Sequence, residues 1–159
     1  MPTELPFIDE LETTVTAPAD RVFLSVARHV GRGFGGRVPE VFSRLLGCVH
    51  RGTPYTVPPI VGQEASGFRV ARVQQPQELI LEGQHRFATY RLSFFVDAIG
   101  LGESRLRART DALFPGIKGA MYRALVIGSG GHEFVVKGML RAIAGDAARE
   151  QKGQERRRQ

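Results

Sequence analysis

Three features of the chain predict an α+β domain in which an antiparallel sheet is covered on one face by a long C-terminal helix. Four segments, 67–74, 78–87, 89–99 and 104–114, follow one another with Gln75-Pro76-Gln77, Phe87-Ala88 and Gly100-Leu101-Gly102 between them, the spacing of strands joined by tight turns. Their apolar residues alternate with polar ones: Tyr90, Leu92, Phe94 and Val96 against Arg91, Ser93 and Asp97, then Leu106, Ala108, Thr110, Ala112 and Phe114 against Arg105, Arg107, Arg109 and Asp111. Each strand thus offers one apolar face to a common partner and one face to water. That partner is the segment after Pro115-Gly116, where Ile117, Met121, Leu125, Gly128, His132, Val135, Met139 and Ile143 recur at three- and four-residue steps, the stripe of an amphipathic helix.

The remaining elements follow in order. Phe7, Leu11, Thr13 and Val15 share one parity and Glu10, Glu12 and Thr14 the other, which predicts a half-buried strand over 7–16. Ala17-Pro18-Ala19-Asp20 ends it, and Val22, Phe23, Val26, Ala27 and Val30 then fall on one stripe of a short helix stopped by Gly31. Pro39 suits a first helical turn, and Val41, Phe42, Leu45 and Leu46 behind it predict a second short helix over 39–46. Residues 50–66 hold Gly52, Pro54, Pro58, Pro59 and Gly62, a turn-rich stretch with an edge strand near Tyr55 to Val57. In the segment 78–87, Leu79, Leu81, Gly83, His85 and Phe87 face one way and Glu82, Gln84 and Arg86 the other. Gly128-Ser129-Gly130-Gly131 interrupts the last helix. A glycine costs about 1 kcal/mol relative to alanine in a helix interior, so a bend, a break or a close backbone approach is expected there. Apolar periodicity stops after Gly145, giving one domain over 1–147 and a disordered basic tail over 148–159.

Composition narrows the function. A chain of 159 residues with 42% apolar content suits one domain with a core and room for a cavity. The longest apolar runs, such as Ala124 to Ile127, fall far short of the roughly 18 residues that cross a bilayer. The start, Met1-Pro2-Thr3-Glu4-Leu5-Pro6, lacks the basic and apolar stretches of a secretory signal, so a cytoplasmic protein is expected. A lone Cys48 offers neither an internal disulfide nor a multi-cysteine metal site. Net charge is +6, but residues 149–159 alone carry five basic against two acidic side chains. The excess left for the body is too dilute for a dedicated nucleic-acid surface. Nineteen of the 22 basic residues are arginine, a bias that fits a bacterial coding preference.

The order strand, two short helices, serial antiparallel strands and one long C-terminal helix is that of a helix-grip fold, a curved sheet wrapped around the last helix. The residues that carry the likeness are Val15-Thr16-Ala17-Pro18-Ala19-Asp20-Arg21-Val22-Phe23, Leu79-Ile80-Leu81-Glu82-Gly83-Gln84-His85, Ser104 to Thr110, and Tyr122 through His132 to Ala144. Together they resemble the bacterial branch of the START, polyketide-cyclase and Bet v 1-like superfamily, over residues 7 to 145. The resemblance implies a hydrophobic cavity between sheet and helix and leaves the ligand open. Lipids, sterols, quinones and polyketides are the ligand classes it brings into view.

Among candidate site residues, His85 stands out because strand parity places an imidazole beside Leu81 and Phe87 on the covered face; the alternative is a core histidine bonded within the fold. Tyr90 and Tyr122 share that interior, each with a hydroxyl able to orient a ligand oxygen or simply to pack. His132 lies on the helix stripe after the glycine cluster and, with His85, is a candidate acid/base pair. Small side chains at Gly83, Ala108, Thr110 and Ala112 leave space unless the helix approaches closely. Arg105, Arg107 and Arg109 form a row that suits a solvated outer face better than a phosphate strip. Gly31-Arg32-Gly33-Phe34-Gly35-Gly36 has the G-x-G-x-x-G spacing but follows a helix, so dinucleotide geometry is missing. Gly128-Ser129-Gly130 is no nucleophile elbow, and the four histidines show no metal-binding spacing.

The leading expectation is a protein that binds or carries a small hydrophobic or aromatic ligand. Its wall is expected to include Phe94, Leu106, Ala108, Thr110, Met121, Leu125 and Val135, with His85, Tyr90, Tyr122 and His132 as the polar groups. The alternative is a polyketide cyclase, aromatase or dehydratase using His85 or His132 as acid/base. A third class is an interaction module using the outer sheet face and the basic tail. No cofactor, metal or nucleic-acid partner is expected, and the chain is expected to be a monomer or homodimer.

Overall fold

The computed structural model describes residues 4–33, 53–65, 67–85 and 87–158. In chain order the elements are β1 (Phe7–Val15), α1 (Ala19–Gly31), β2 (Thr53–Pro54), β3 (Gln63–Ala65), β4 (Phe68–Gln74), β5 (Glu78–His85), β6 (Ala88–Gly100), β7 (Glu103–Leu113), α2 (Gly116–Val126) and α3 (Gly131–Arg158). The strands form one sheet in the order β1-β7-β6-β5-β4-β3-β2, antiparallel throughout except for the parallel pair β2–β3. This is the helix-grip α+β fold.

Register follows the alternation in the sequence. Leu79 opposes Phe94, Phe94 opposes Ala108, Ala108 opposes Leu11, and all but the half-buried Leu11 are buried. This face is sealed by Val22, Phe23, Val26 and Val30 of α1 and by Val136, Leu140, Ile143 and Ala147 of α3. A buried hydrogen bond joins the two helices, the Ser25 hydroxyl donating to the Ile143 carbonyl at 2.9 Å. On the outer face Arg107 pairs with Glu10 and Asp97 and lies over the Phe95 ring, while Arg109 pairs with Asp111 and lies over Phe7. The arginine row is therefore a laced outer surface, its stems spread on aromatic rings.

The structure departs from the sequence expectations at four places. The last helix is two, α2 and α3, separated at 127–130 by a turn whose Gly130 has φ 74°. The segment 148–158 is helical, not disordered, because α1 receives it: Arg28 Nη2 donates to Glu150 Oε2 at 2.6 Å and Arg21 Nη2 to Gln154 Oε1 at 2.7 Å. Residues 55–57 form no strand, since the Gln63 side chain gathers them into a loop. Its Oε1 accepts from the Thr56 and Ile60 amides and its Nε2 donates to Thr56 Oγ1. The first strand also breaks its alternation, with a bulge between Phe7 and Asp9. The helix expected over 39–46 and Phe34-Gly35-Gly36 of the glycine motif lie outside the described residues.

Candidate functional site

The bulge in β1 lies just ahead of one end of the inner face. Phe7 opposes Asp111 and carries the Arg109 guanidinium over its ring at 5.1 Å, so it lies on the outer side. One extra residue resets the register, and Asp9 then opposes Thr110 on the inner side with Leu11, Thr13 and Val15 behind it. The first turn of α3 completes the group. His132 Nε2 lies 3.1 Å from Thr110 Oγ1 and 3.4 Å from Asp9 Oδ2. Asp9 Oδ1 is buried with no hydrogen-bond partner among the described residues.

This geometry limits the imidazole's proton arrangement. A nitrogen that carries a proton donates, and the carboxylate of Asp9 is an acceptor only. With the proton on Nε2, the ring donates toward Asp9 and Thr110 and leaves Nδ1 as the basic nitrogen. With both nitrogens protonated, the Asp9 carboxylate lies beside the imidazolium as an ion pair. Asp9 was not singled out in the sequence, although it shares the parity of Leu11, Thr13 and Val15. A carboxylate at an apolar-parity position was the available signal.

An aromatic group stands at the same end of the sheet. The Tyr122 ring of α2 stacks on Phe87 at 6.0 Å and tilts against Phe114 at 6.2 Å. Gly119, one turn earlier in α2, is buried against the Phe114 backbone, which leaves no space for a Cβ. The helix thus packs through Gly119 and Tyr122 on the residues that flank the strands, Phe114 after β7 and Phe87 before β6.

The other expected wall residues separate into two sets. Phe94, Leu106 and Ala108 are at most 1% exposed and belong to the packed core under α1 and α3. Met121, Leu125 and Val135 are 69%, 70% and 65% exposed and point away from it. No single wall joins the two sets, because α2 and α3 turn separately about the glycine break. Gly83 does not open space either: Tyr90 opposes it, and the phenol ring lies where a Cβ would be. The Tyr90 hydroxyl donates to the Gly67 carbonyl at 3.1 Å, with Phe68 edge-on to the ring at 5.0 Å. His85 pairs through its main chain with Ala88, and its side chain lies outside the described ones. Among the described residues no three His, Cys, Asp or Glu side chains gather as they would to hold a metal ion.

The architecture has clear counterparts among solved structures. The Zhui aromatase/cyclase from Streptomyces sp. R1128 is 15% identical, with 89% of this chain and 93% of that chain covered and a TM-score of 0.51. A norcoclaurine synthase point mutant from Thalictrum flavum, solved with a transition-state analogue, is 12% identical over 93% of this chain and 99% of that one, with a TM-score of 0.52. A protein from Arthrobacter aurescens is 10% identical over 86% and 85%, with a TM-score of 0.54. These likenesses show a shared Bet v 1-like, helix-grip fold. No family model matches the chain. No curated protein matches it in sequence. Among the described residues no helix is long and apolar enough to cross a membrane.

Proposed function

We propose that the protein binds a small hydrophobic or aromatic molecule near the C-terminal end of β7, where the first turn of α3 reaches Thr110 and Tyr122 of α2 packs on Phe87 and Phe114. The observation that carries this reading is the meeting of Asp9, Thr110 and His132 on the inner face, at the end of the sheet where Tyr122, Phe87 and Phe114 present their rings. Apolar surface with a few convergent polar groups is the usual composition of a small-molecule site. The rings supply burial and stacking. His132 and Asp9 orient one polar group of the ligand, Asp9 Oδ1 being an acceptor that lacks a donor among the described residues. A phenolic hydroxyl matches that need, and the fold-level analogy with an aromatase/cyclase and norcoclaurine synthase points the same way.

Titration calorimetry with naphthols and hydroxynaphthoquinones tests the reading. Binding is expected to weaken about tenfold in His132→Ala, the loss of one buried polar contact of roughly 1.4 kcal/mol, and more in Tyr122→Ala. Leu101→Ala, at a fully exposed turn, leaves affinity unchanged. Equal affinity in all four proteins would remove the site from this end of the sheet.

A second reading is a cyclase, aromatase or dehydratase in which His132, or His85, moves a proton. The Asp9 carboxylate beside His132 favours it, because a carboxylate that accepts from one ring nitrogen fixes the tautomer and holds the imidazole in one orientation. It predicts that His132→Ala abolishes turnover of a polyketide-like substrate while Asp9→Asn lowers it with little change in affinity. Unchanged turnover in His132→Ala and His85→Ala sinks it.

A further inference from the structure

The helix α2 carries an apolar face that none of the described residues covers. Ile117, Met121 and Leu125, spaced i, i+4 and i+8, are 84%, 69% and 70% exposed. Helical geometry places them within about 80° of one another, on the side away from Gly119 and Tyr122, by which the helix packs on Phe114 and Phe87. They therefore do not line the ligand site described above.

Charge decides what this face meets. From Ala112 to His132 the chain contains Lys118 and Arg123 and no carboxylate. Both cations are exposed, Lys118 bordering the apolar face beside Leu125 on the helical wheel. Exposed apolar side chains bordered by Lys118, on a helix that carries no carboxylate, complement the anionic headgroups and acyl boundary of a lipid surface. The helix is also a separable unit: Gly116 and Gly130, at φ 68° and 74°, bracket it in the left-handed region that glycine adopts without strain.

We propose that α2 is a surface anchor that lays Ile117, Met121 and Leu125 into an anionic membrane interface, with Lys118 at the headgroups. The inference does not depend on the ligand reading, since its residues point the other way. Co-sedimentation of the full chain with vesicles tests it, using phosphatidylcholine alone and phosphatidylcholine mixed in equal parts with phosphatidylglycerol.

Binding to the anionic vesicles is expected, weaker on neutral ones and weaker as salt rises. Met121→Glu/Leu125→Glu is expected to reduce it at least about tenfold, and Lys118→Gln about fivefold. All three positions are exposed, so thermal unfolding should match the parent and a loss of binding cannot be a loss of fold. Failure to bind anionic vesicles would overturn the proposal. So would binding that survives Met121→Glu/Leu125→Glu but disappears in Arg156→Gln/Arg157→Gln/Arg158→Gln, since the contact would then belong to the end of α3. A dimer in solution that Met121→Glu/Leu125→Glu dissociates would overturn it too, assigning the face to a second copy.

Discussion

Asp9 and Thr110 stand opposite each other in the β1–β7 ladder, and both reach the same nitrogen of His132. The pair continues the register of Leu11–Ala108, and the bulge just ahead of it turns Phe7 to the outer face. The contact also ties the first turn of α3 to the sheet beside Leu92, the core residue that opposes Thr110. Thr110→Val keeps the side-chain shape and removes the hydroxyl. It is expected to lower stability by about 1 kcal/mol, the usual net worth of such a hydrogen bond, read as a lower urea midpoint at constant slope. An unchanged midpoint would mean the Thr110–His132 contact carries no weight in the free protein.

Gly83 and Tyr90 form a second cross-strand pair that fixes the inner face. Gly83→Ala drives a methyl into the Tyr90 ring and toward the Gly67 carbonyl, and is expected to cost about 1–3 kcal/mol as overpacking. Tyr90→Phe keeps the ring over Gly83 and loses only the bond to Gly67, at about 1 kcal/mol. Chemical denaturation of both variants checks the order, Gly83→Ala being the less stable.

The Tyr55 hydroxyl is buried without a hydrogen-bond partner among the described residues, and burial pushes its phenol well above the ordinary tyrosine range. A desolvated hydroxyl with no partner is a cost of about 1–3 kcal/mol to the folded state. Tyr55→Phe is therefore expected to raise stability, by about 2–4 °C in Tm for each kcal/mol recovered in a domain of this size. A lower Tm would show that the hydroxyl is bonded in solution.

His29 is half-buried in α1, and burial lowers its pKa below the ordinary 6.5 more than the nearby Asp146 raises it. The folded chain thus resists a proton that the unfolded chain accepts. Stability should fall as pH drops through 6.5 and level off once the folded imidazole is itself protonated. His29→Gln should show a shallower decline over that window. Identical slopes in a pH series of urea midpoints would contradict the assignment.

The C-terminal segment makes a further prediction, since its helix depends on α1. Amides of residues 148–154 should be protected from hydrogen exchange, and Arg28→Ala should loosen them selectively by removing the contact to Glu150. Exchange at random-coil rates in the parent protein would restore the disordered tail.

How far the sequence carried depends on what each pattern encodes. Period-two alternation gave β4 to β7 to within about two residues, because each strand is longer than the errors at its ends and both faces have distinct chemistry. Period-three-and-four spacing found the helical residues after Pro115 but not which of them are covered. In α3 the buried side chains are Val136, Met139, Leu140, Ile143 and Ala147, so Val135 points outward while its neighbour is in the core. In α2 the same stripe is solvent-facing from end to end. Periodicity groups residues on one face, and a glycine break lets two helices turn that face in different directions. The helical tail escaped notice because it depends on tertiary contacts with α1, whose partners lie more than a hundred residues away in sequence. Of the candidate site, His132 and Thr110 were legible; Asp9 shares the parity of Leu11, Thr13 and Val15, but its meeting with His132 depends on where the first turn of α3 lies, which no local pattern encodes.

The central claim is that a small hydrophobic or aromatic molecule occupies the end of the sheet around Tyr122 and His132, and native mass spectrometry of freshly purified protein tests it most directly. The account predicts a small-molecule adduct, or uptake of one from a panel of naphthols, hydroxyquinones and fatty acids, that is diminished in both Tyr122→Ala and His132→Ala. A clean ligand-free mass that resists loading by the whole panel would contradict it.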